Sequence, residues 1–466
     1  MKSRSNYSAV LFALLLVSTS GRAEPGMVTV QAKVAPGASW TNYPTRTLAA
    51  LPALATNQTD SGLSVYGGLL ARKVKATGFF YPTKIADRWW LVDPQGYLFL
   101  DKSVVAVAEL NGPGSQAARK EKFGGKSDWA ARTTELLRAN GFNSLGAWSD
   151  TESFRQLPQP LVYTRIWNFM SSYGDKRGGT YQKSGHIGYP NDCIFVFDPE
   201  FETFCDNFAR KLAQTKDDPW LLGHFTDNEM PIKRDALKNY LQLPATDPGH
   251  KAARDWLQAR HGAQATEKDI TEQDRKDFIA LVTDRYFRIV STAIKKYDPN
   301  HLFLGSRFHG GELNYPEVFQ AAGAYVDVMA VNYYRTWTPA REKLEMWSRE
   351  SGRPILITEW YVKGEDSGLP NNSGAGWIVK SQQDRGLFYQ NFTLGLLESK
   401  VCVGWHWFKY TDNDPSVPNA EPSNRDSNKG IVTSRYEPYP ALLQSMKAVN
   451  DRAYSLADYF DRRVEH

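Results

Sequence analysis

From residue 104 onward the chain repeats one pattern. Short apolar runs at 104–108, 142–148, 161–169, 221–226, 302–308, 326–334, 354–361 and 401–408 alternate with amphipathic stretches. Runs apolar on both faces predict strands buried on both sides, as in a parallel sheet. The stretches between them predict helices. Residues 128–140 place Trp129, Ala130, Thr133, Leu136 and Leu137 on one face, with Ser127 as the expected N-cap and Gly141 as the stop. Residues 274–297 (Phe278, Leu281, Tyr286, Ile289, Val290, Ile294) and 384–398 (Leu387, Phe388, Leu394, Leu397) behave alike. Eight β-α repeats predict an α/β fold, a (β/α)8 TIM barrel with a short N-terminal extension. A doubly wound open sheet is the alternative. Ahead of the repeats, residues 88–100 read as a β-hairpin turning at Pro94-Gln95-Gly96.

The expected organisation is a signal peptide over 1–23, an N-terminal arm or small β region over 24–75, a barrel over 76–450 and a C-terminal tail over 451–466. Lys2 and Arg4 precede the apolar stretch 9–17, and Gly21-Arg22-Ala23 supplies small residues at a cleavage site. A secreted or periplasmic protein follows. The stretch is too short for a stable membrane anchor, and no later segment approaches 18 uninterrupted apolar residues.

Composition sharpens this picture. With 41% apolar and 23% charged residues, the chain is globular in character. Its formal net charge of +5 includes leader cations, which argues against a nucleic-acid partner. Aromatics reach 13%, with 14 Trp, more flat surface than a core usually needs. Sugar-binding clefts are one destination for such an excess. Of the three cysteines, Cys193 and Cys205 either pair or remain buried thiols with Cys402. No C-x-x-C or H-x-x-x-H is present, so no metal or cofactor is expected. Gly124-Gly125-Lys126-Ser127 lacks the glycine at position 120 that a phosphate loop needs, and no G-x-S-x-G elbow occurs.

Functional residues of this fold sit where strands end. The fourth run ends His224-Phe225-Thr226-Asp227-Asn228-Glu229, and the seventh ends Thr358-Glu359-Trp360. Two facing carboxylates are what glycoside hydrolysis needs: one protonates the leaving oxygen, the other attacks the anomeric carbon or activates water. Glu229 and Glu359 are therefore the candidate catalytic pair. Candidate substrate-binding residues at the other strand ends are Asn143, Trp148, Asn228, Arg307, His309, Asn332, Tyr333, Trp360, Trp405 and Trp407. His224 and His406 are added as histidines facing the barrel or the sugar.

Residues 224–229 and 357–360 resemble the two signatures of glycoside hydrolase clan A. With Arg88-Trp-Trp-Leu-Val-Asp-Pro-Gln-Gly-Tyr and Gly404-Trp-His-Trp-Phe-Lys-Tyr, they resemble the β-agarases of glycoside hydrolase family 50 over residues 76 to 450. The resemblance implies a retaining mechanism. Glu229 would be the acid/base, protonated at rest, and Glu359 the ionised nucleophile. Asn228 would donate to the sugar 2-hydroxyl and Tyr333 would orient Glu359. The large N-terminal sandwich domain of the family is expected to be absent or shrunken. The expected substrate is agarose, attacked from a chain end if the polar loops at 371–377 and 412–430 close the cleft. Another β-galactan or a β-glucan is the alternative substrate. A non-catalytic carbohydrate-binding barrel is the alternative of a different class.

Overall fold

The computed structural model describes residues 26–51, 59–414, 416–417, 423 and 425–462. The leader, and part of the polar loop at 412–430, lie outside the described residues. Eight parallel strands form one sheet: β1 (Asp101–Val104), β2 (Ser144–Leu145), β3 (Val162–Ile166), β4 (Leu221–Asn228), β5 (Leu302–Arg307), β6 (Met329–Asn332), β7 (Ile355–Glu359) and β8 (Cys402–Trp407). Their order is β5-β4-β3-β2-β1-β8-β7-β6, and a parallel bridge between Phe308 and Val331 joins β5 to β6. The sheet thus closes into the (β/α)8 barrel that the alternation predicts.

The first strand falls earlier than expected, ending at Val104 where the apolar run begins. Its two charged residues are tolerated because each has a buried partner. Asp101 holds His406 Nε2 at 2.7 Å and accepts from Ser144, and Lys102 Nζ donates to the Asn450 carbonyl at 3.0 Å. After an earlier helix, Pro113–Phe123, the helix expected over 128–140 spans Lys126–Ala139 with Gly125 at its N-cap, so Ser127 lies inside its first turn. Gly141 does follow its end, in the left-handed region at φ +74°.

The N-terminal region is built into the molecule. Met27–Lys33 pairs antiparallel with Thr41–Arg46 and with Ile378–Val379, beyond β7. Leu69–Lys73 joins Tyr97–Phe99, Arg88–Val92 and Tyr81–Ile85 in an antiparallel sheet, so hydrogen bonding crosses the boundary drawn at residue 75. Tyr66 and Phe79 from this region contact Trp220 and His301, which immediately precede β4 and β5. The small sheet therefore covers the N-terminal end of the barrel and leaves the other end open. The last described element, the helix Ala453–Arg462, docks against it: Tyr454 donates to the Gly67 carbonyl and Asp461 pairs with buried Arg88. Cys193, Cys205 and Cys402 are all free and buried.

Candidate active site

At the C-terminal ends of the strands lies a cleft of about 650 Å³ lined by Glu229, Glu359, Trp148, His186, His309, Tyr334, Tyr361 and Lys429. Both carboxylates are almost fully buried, Glu229 at 7% and Glu359 at 5% exposure.

Glu359 ends β7 and is held from two sides. Arg307 Nη1, at the end of β5, stands 2.9 Å from Oε1, and the Tyr334 hydroxyl donates to Oε2. The Arg307 guanidinium is itself fixed. Nη2 donates to the Thr358 carbonyl at 2.7 Å, Nη1 reaches Asn228 Oδ1 at 3.2 Å, and Trp148 lies 4.4 Å from its centre.

Glu229 follows β4 in the left-handed region, at φ +50°. Asn332 Nδ2 donates to its Oε1 at 2.9 Å, and the Thr358 hydroxyl fixes the Asn332 amide by donating to Oδ1 at 2.7 Å. Its Oε2 faces His186 Nδ1 at 3.5 Å and His309 Nε2 at 3.8 Å. Asn228 Oδ1 accepts from both Arg307 and Asn332, and its Nδ2 makes a long 3.4 Å bond to the Gly185 carbonyl.

These surroundings push the two carboxyls in opposite directions. Burial raises Glu359 to about 7, with Arg307 opposing the rise and the Glu229 charge adding to it. Burial would raise Glu229 too, but His186, His309 and Asn332 outweigh it and hold the group below the ordinary carboxylate range. The two carboxyls are coupled, and their surroundings set them apart. The cause is histidine charge. Glu312 and Glu229 raise His309 against the effect of its burial, and a cationic His309 stabilises the Glu229 anion. A neutral His309 would withdraw that stabilisation, while Glu359 keeps its permanent cation, Arg307.

Several sequence candidates lie elsewhere. The Tyr333 side chain is directed away from the Glu359 carboxylate, although its backbone N–H donates to the Glu359 carbonyl at 2.9 Å. Its ring packs on Trp347 and Phe392, its hydroxyl accepts from the Ala340 N–H, and Tyr334 takes the expected role. Adjacent residues at a strand end point to opposite sides, so a one-residue error exchanges cleft for core. His224 is fully buried, bonded to Asp298 through Nε2 at 2.8 Å and accepting from Trp167 at Nδ1. His406 is buried on Asp101. Asn143 lies at the other end of the barrel, its side chain bonded to the Lys102 N–H and the Leu100 carbonyl. Trp360 stacks on Phe392, Trp407 packs edge-on against Trp360, and Trp405 donates to Tyr389. All three are core residues, so the aromatic excess is spent largely inside. Of the candidate tryptophans, Trp148 alone is exposed, at 37%.

The sequence reading missed His186, Tyr361 and Lys429. His186 sits on a small hairpin, Tyr181–Lys183 with His186–Gly188, which carried no strand-end signal. Lys429 returns from the loop after β8, where Asp412 accepts from the Lys429 and Gly430 N–H groups. Asp426 in that loop accepts from the N–H and hydroxyl of Ser373 in the loop after β7, so the two polar stretches are tied together beside the cleft.

A (β/α)8 barrel carrying a buried carboxylate at the end of β4 and another at the end of β7 has the construction of clan A glycosidase scaffolds. The comparisons carry the same likeness to the family. No family model matches the chain. It is 28% identical to "Beta-agarase B" of Vibrio sp. (strain JT0107) over 490 residues, covering 85% of this chain and 50% of that protein. The chain thus spans about half the length of this curated relative. The crystal structure of BpGH50 superposes with a TM-score of 0.82 at 29% identity, covering 94% of this chain and 96% of that one. A structure described as an exo-beta-agarase shares the fold, with a TM-score of 0.71 at 23% identity, over 86% of this chain and 68% of that one. In sequence and in fold the chain resembles the family 50 β-agarases.

Proposed function

We propose that the protein is a secreted, retaining glycoside hydrolase that cleaves β-linked galactan, with agarose as its substrate and attack from a chain end. The observation that carries this reading is the unequal support of the two carboxylates. Arg307 and Tyr334 hold Glu359 by charge and hydrogen bonding, as a nucleophile requires. Glu229 has one oxygen bonded to Asn332, and its other oxygen faces the His186 and His309 rings at 3.5 and 3.8 Å. That arrangement suits a group that must gain and lose a proton. Glu359 would attack the anomeric carbon as Glu229 protonates the departing oxygen. Glu229 would then take a proton from the water that releases the sugar. Asn228, its carbonyl oxygen committed to Arg307 and Asn332, directs its amide nitrogen to a hydroxyl beside the reacting carbon. Trp148 offers a ring face to a sugar. Agarose is taken from the curated relatives named as β-agarases. Chain-end attack is taken from the joined loops after β7 and β8, which wall one side of the cleft. Export rests on the leader pattern. Among the described residues no helix is long and apolar enough to cross a membrane.

The test is product analysis on agarose, porphyran, carrageenan, laminarin and galactan, with Glu359→Ala and Glu229→Ala alongside. The expected result is short neoagaro-oligosaccharides from agarose. With azide, Glu359→Ala should give an inverted glycosyl azide and Glu229→Ala the retained one. Cleavage of another polysaccharide but not agarose would reject the substrate and keep the mechanism. Oligosaccharide binding with no turnover on any of them would favour a non-catalytic barrel.

A further inference from the structure

His186, Glu229 and His309 reach one point from three parts of the chain: the small hairpin, the end of β4 and the segment after β5. Their donor atoms all lie within 4.8 Å of one another. His186 Nδ1 and His309 Nε2 stand 3.5 and 3.8 Å from the same oxygen, Glu229 Oε2. Ligands about 2.1 Å from a tetrahedral ion stand about 3.4 Å apart, so the two imidazole–carboxylate separations exceed that spacing by a few tenths of an ångström, and the imidazoles, within 4.8 Å of each other, would close toward a common centre.

Two further observations point to a ligand. His186 Nδ1 is shielded from solvent with no hydrogen-bond partner. Behind His309, fully buried Glu312 stands 3.2 Å from Nδ1. Glu312 accepts from the His309 backbone N–H and stands beside Nδ1 as a charge neighbour, which favours a proton on Nδ1 and leaves Nε2 free to coordinate. Asn332 occupies only Oε1 of Glu229, so Oε2 remains open. Two imidazoles and one carboxylate suit Zn²⁺ and its late first-row neighbours, and are too nitrogen-rich for Ca²⁺ or Mg²⁺.

We propose that His186, Glu229 and His309 form a binding site for a zinc-class divalent cation, with water as the fourth ligand. Occupation takes Glu229 out of proton transfer, so the cation is a reversible inhibitor. The inhibitory half rests on Glu229 being the acid/base, and the binding half does not.

The test titrates the full chain with Zn²⁺ by calorimetry and with Co²⁺ by visible absorption, alongside His186→Ala, His309→Ala and Glu359→Ala. Wild type and Glu359→Ala should each bind one ion per chain with a tetrahedral Co²⁺ spectrum. The two histidine variants, shown folded by circular dichroism, should bind at least about tenfold more weakly. Turnover by the wild type should fall as the site fills and return with EDTA. The site is overturned if the wild type binds no Zn²⁺, or if both histidine variants bind it as tightly as the wild type. If binding behaves as expected but saturating Zn²⁺ leaves turnover unchanged, the site stands and the acid/base assignment of Glu229 falls.

Discussion

At Glu229 the backbone enters a region that non-glycine residues seldom adopt, and Trp148 does the same at φ +58°. Each such residue costs on the order of 1–2 kcal/mol. Both put a side chain into the cleft. Around the second carboxylate, Tyr334 and Tyr333 are sequence neighbours with different tasks. Tyr334→Phe removes a hydrogen bond to a charged group, worth about 1.5–3 kcal/mol, so kcat should fall roughly 10- to 100-fold with thermal stability little changed. Tyr333→Phe should do the opposite, leaving kcat close to wild type. Equal kinetic losses in the two variants would refute the assignment of Tyr334 to Glu359. His309 supplies a pH prediction. While cationic it stabilises the Glu229 anion, so turnover should rise as His309 loses its proton. His309→Gln removes that charge, and the acid limb of kcat/KM should move to lower pH. A limb that stays in place would show that His309 does not control the pair.

The barrel depends on how closely its strands approach. At Gly404 of β8 an added Cβ would lie 2.5 Å from the Asp101 carbonyl of β1, and at Gly223 of β4 it would lie 2.3 Å from the Leu302 carbonyl of β5. Both neighbours are backbone and cannot swing aside. Gly404→Ala should therefore cost about 1–3 kcal/mol through strand displacement, read as a lower thermal midpoint. An unchanged midpoint would mean that β8 and β1 separate freely. The end of β4 is secured by Asp227, which accepts from the Met170 and Ser171 N–H groups at the start of the helix Phe169–Arg177 and from Tyr286. Burial pushes this carboxyl up to about 7 despite those donors. It positions the strand that delivers Glu229 without facing the cleft.

Across the whole molecule, the end of the barrel away from the cleft is closed by a buried polar network. Asp298 holds His224 Nε2 and His301 Nδ1 at 2.8 Å each, and His301 Nε2 reaches the Asp218 carbonyl at 2.8 Å. Burial would raise Asp298, but the two histidines hold it far below the usual range. A depressed carboxyl contributes stability that is present above its unfolded value, about 3.9, and is lost as pH falls. Asp298→Asn should therefore cost on the order of 3–5 kcal/mol at neutral pH, and its deficit against the wild type should shrink in acid. A deficit that did not change with pH would point to shape and not charge.

The alternation of apolar runs and amphipathic stretches was enough for the barrel, because burial on two faces leaves a period that no distant contact has to supply. The strand-end positions of Glu229, Glu359, Arg307, Asn228 and Asn332 were legible for the same reason, since a carboxylate or amide closing an apolar strand is a local signal. Tertiary structure decided which neighbour faces the cleft, as between Tyr333 and Tyr334, because a single residue step reverses a side chain's direction. It also sent Trp360, Trp405 and Trp407 into the core, where a strand-end tryptophan looks the same in sequence as one that meets a sugar. His186 and Lys429 reach the cleft on loops whose course is set by Asp412, Asp426 and the hairpin Tyr181–Gly188, contacts between residues distant in sequence. The electrostatic surroundings of Glu229 depend on those same loops, because electrostatics sums over neighbours in space and the chain order carries no record of them.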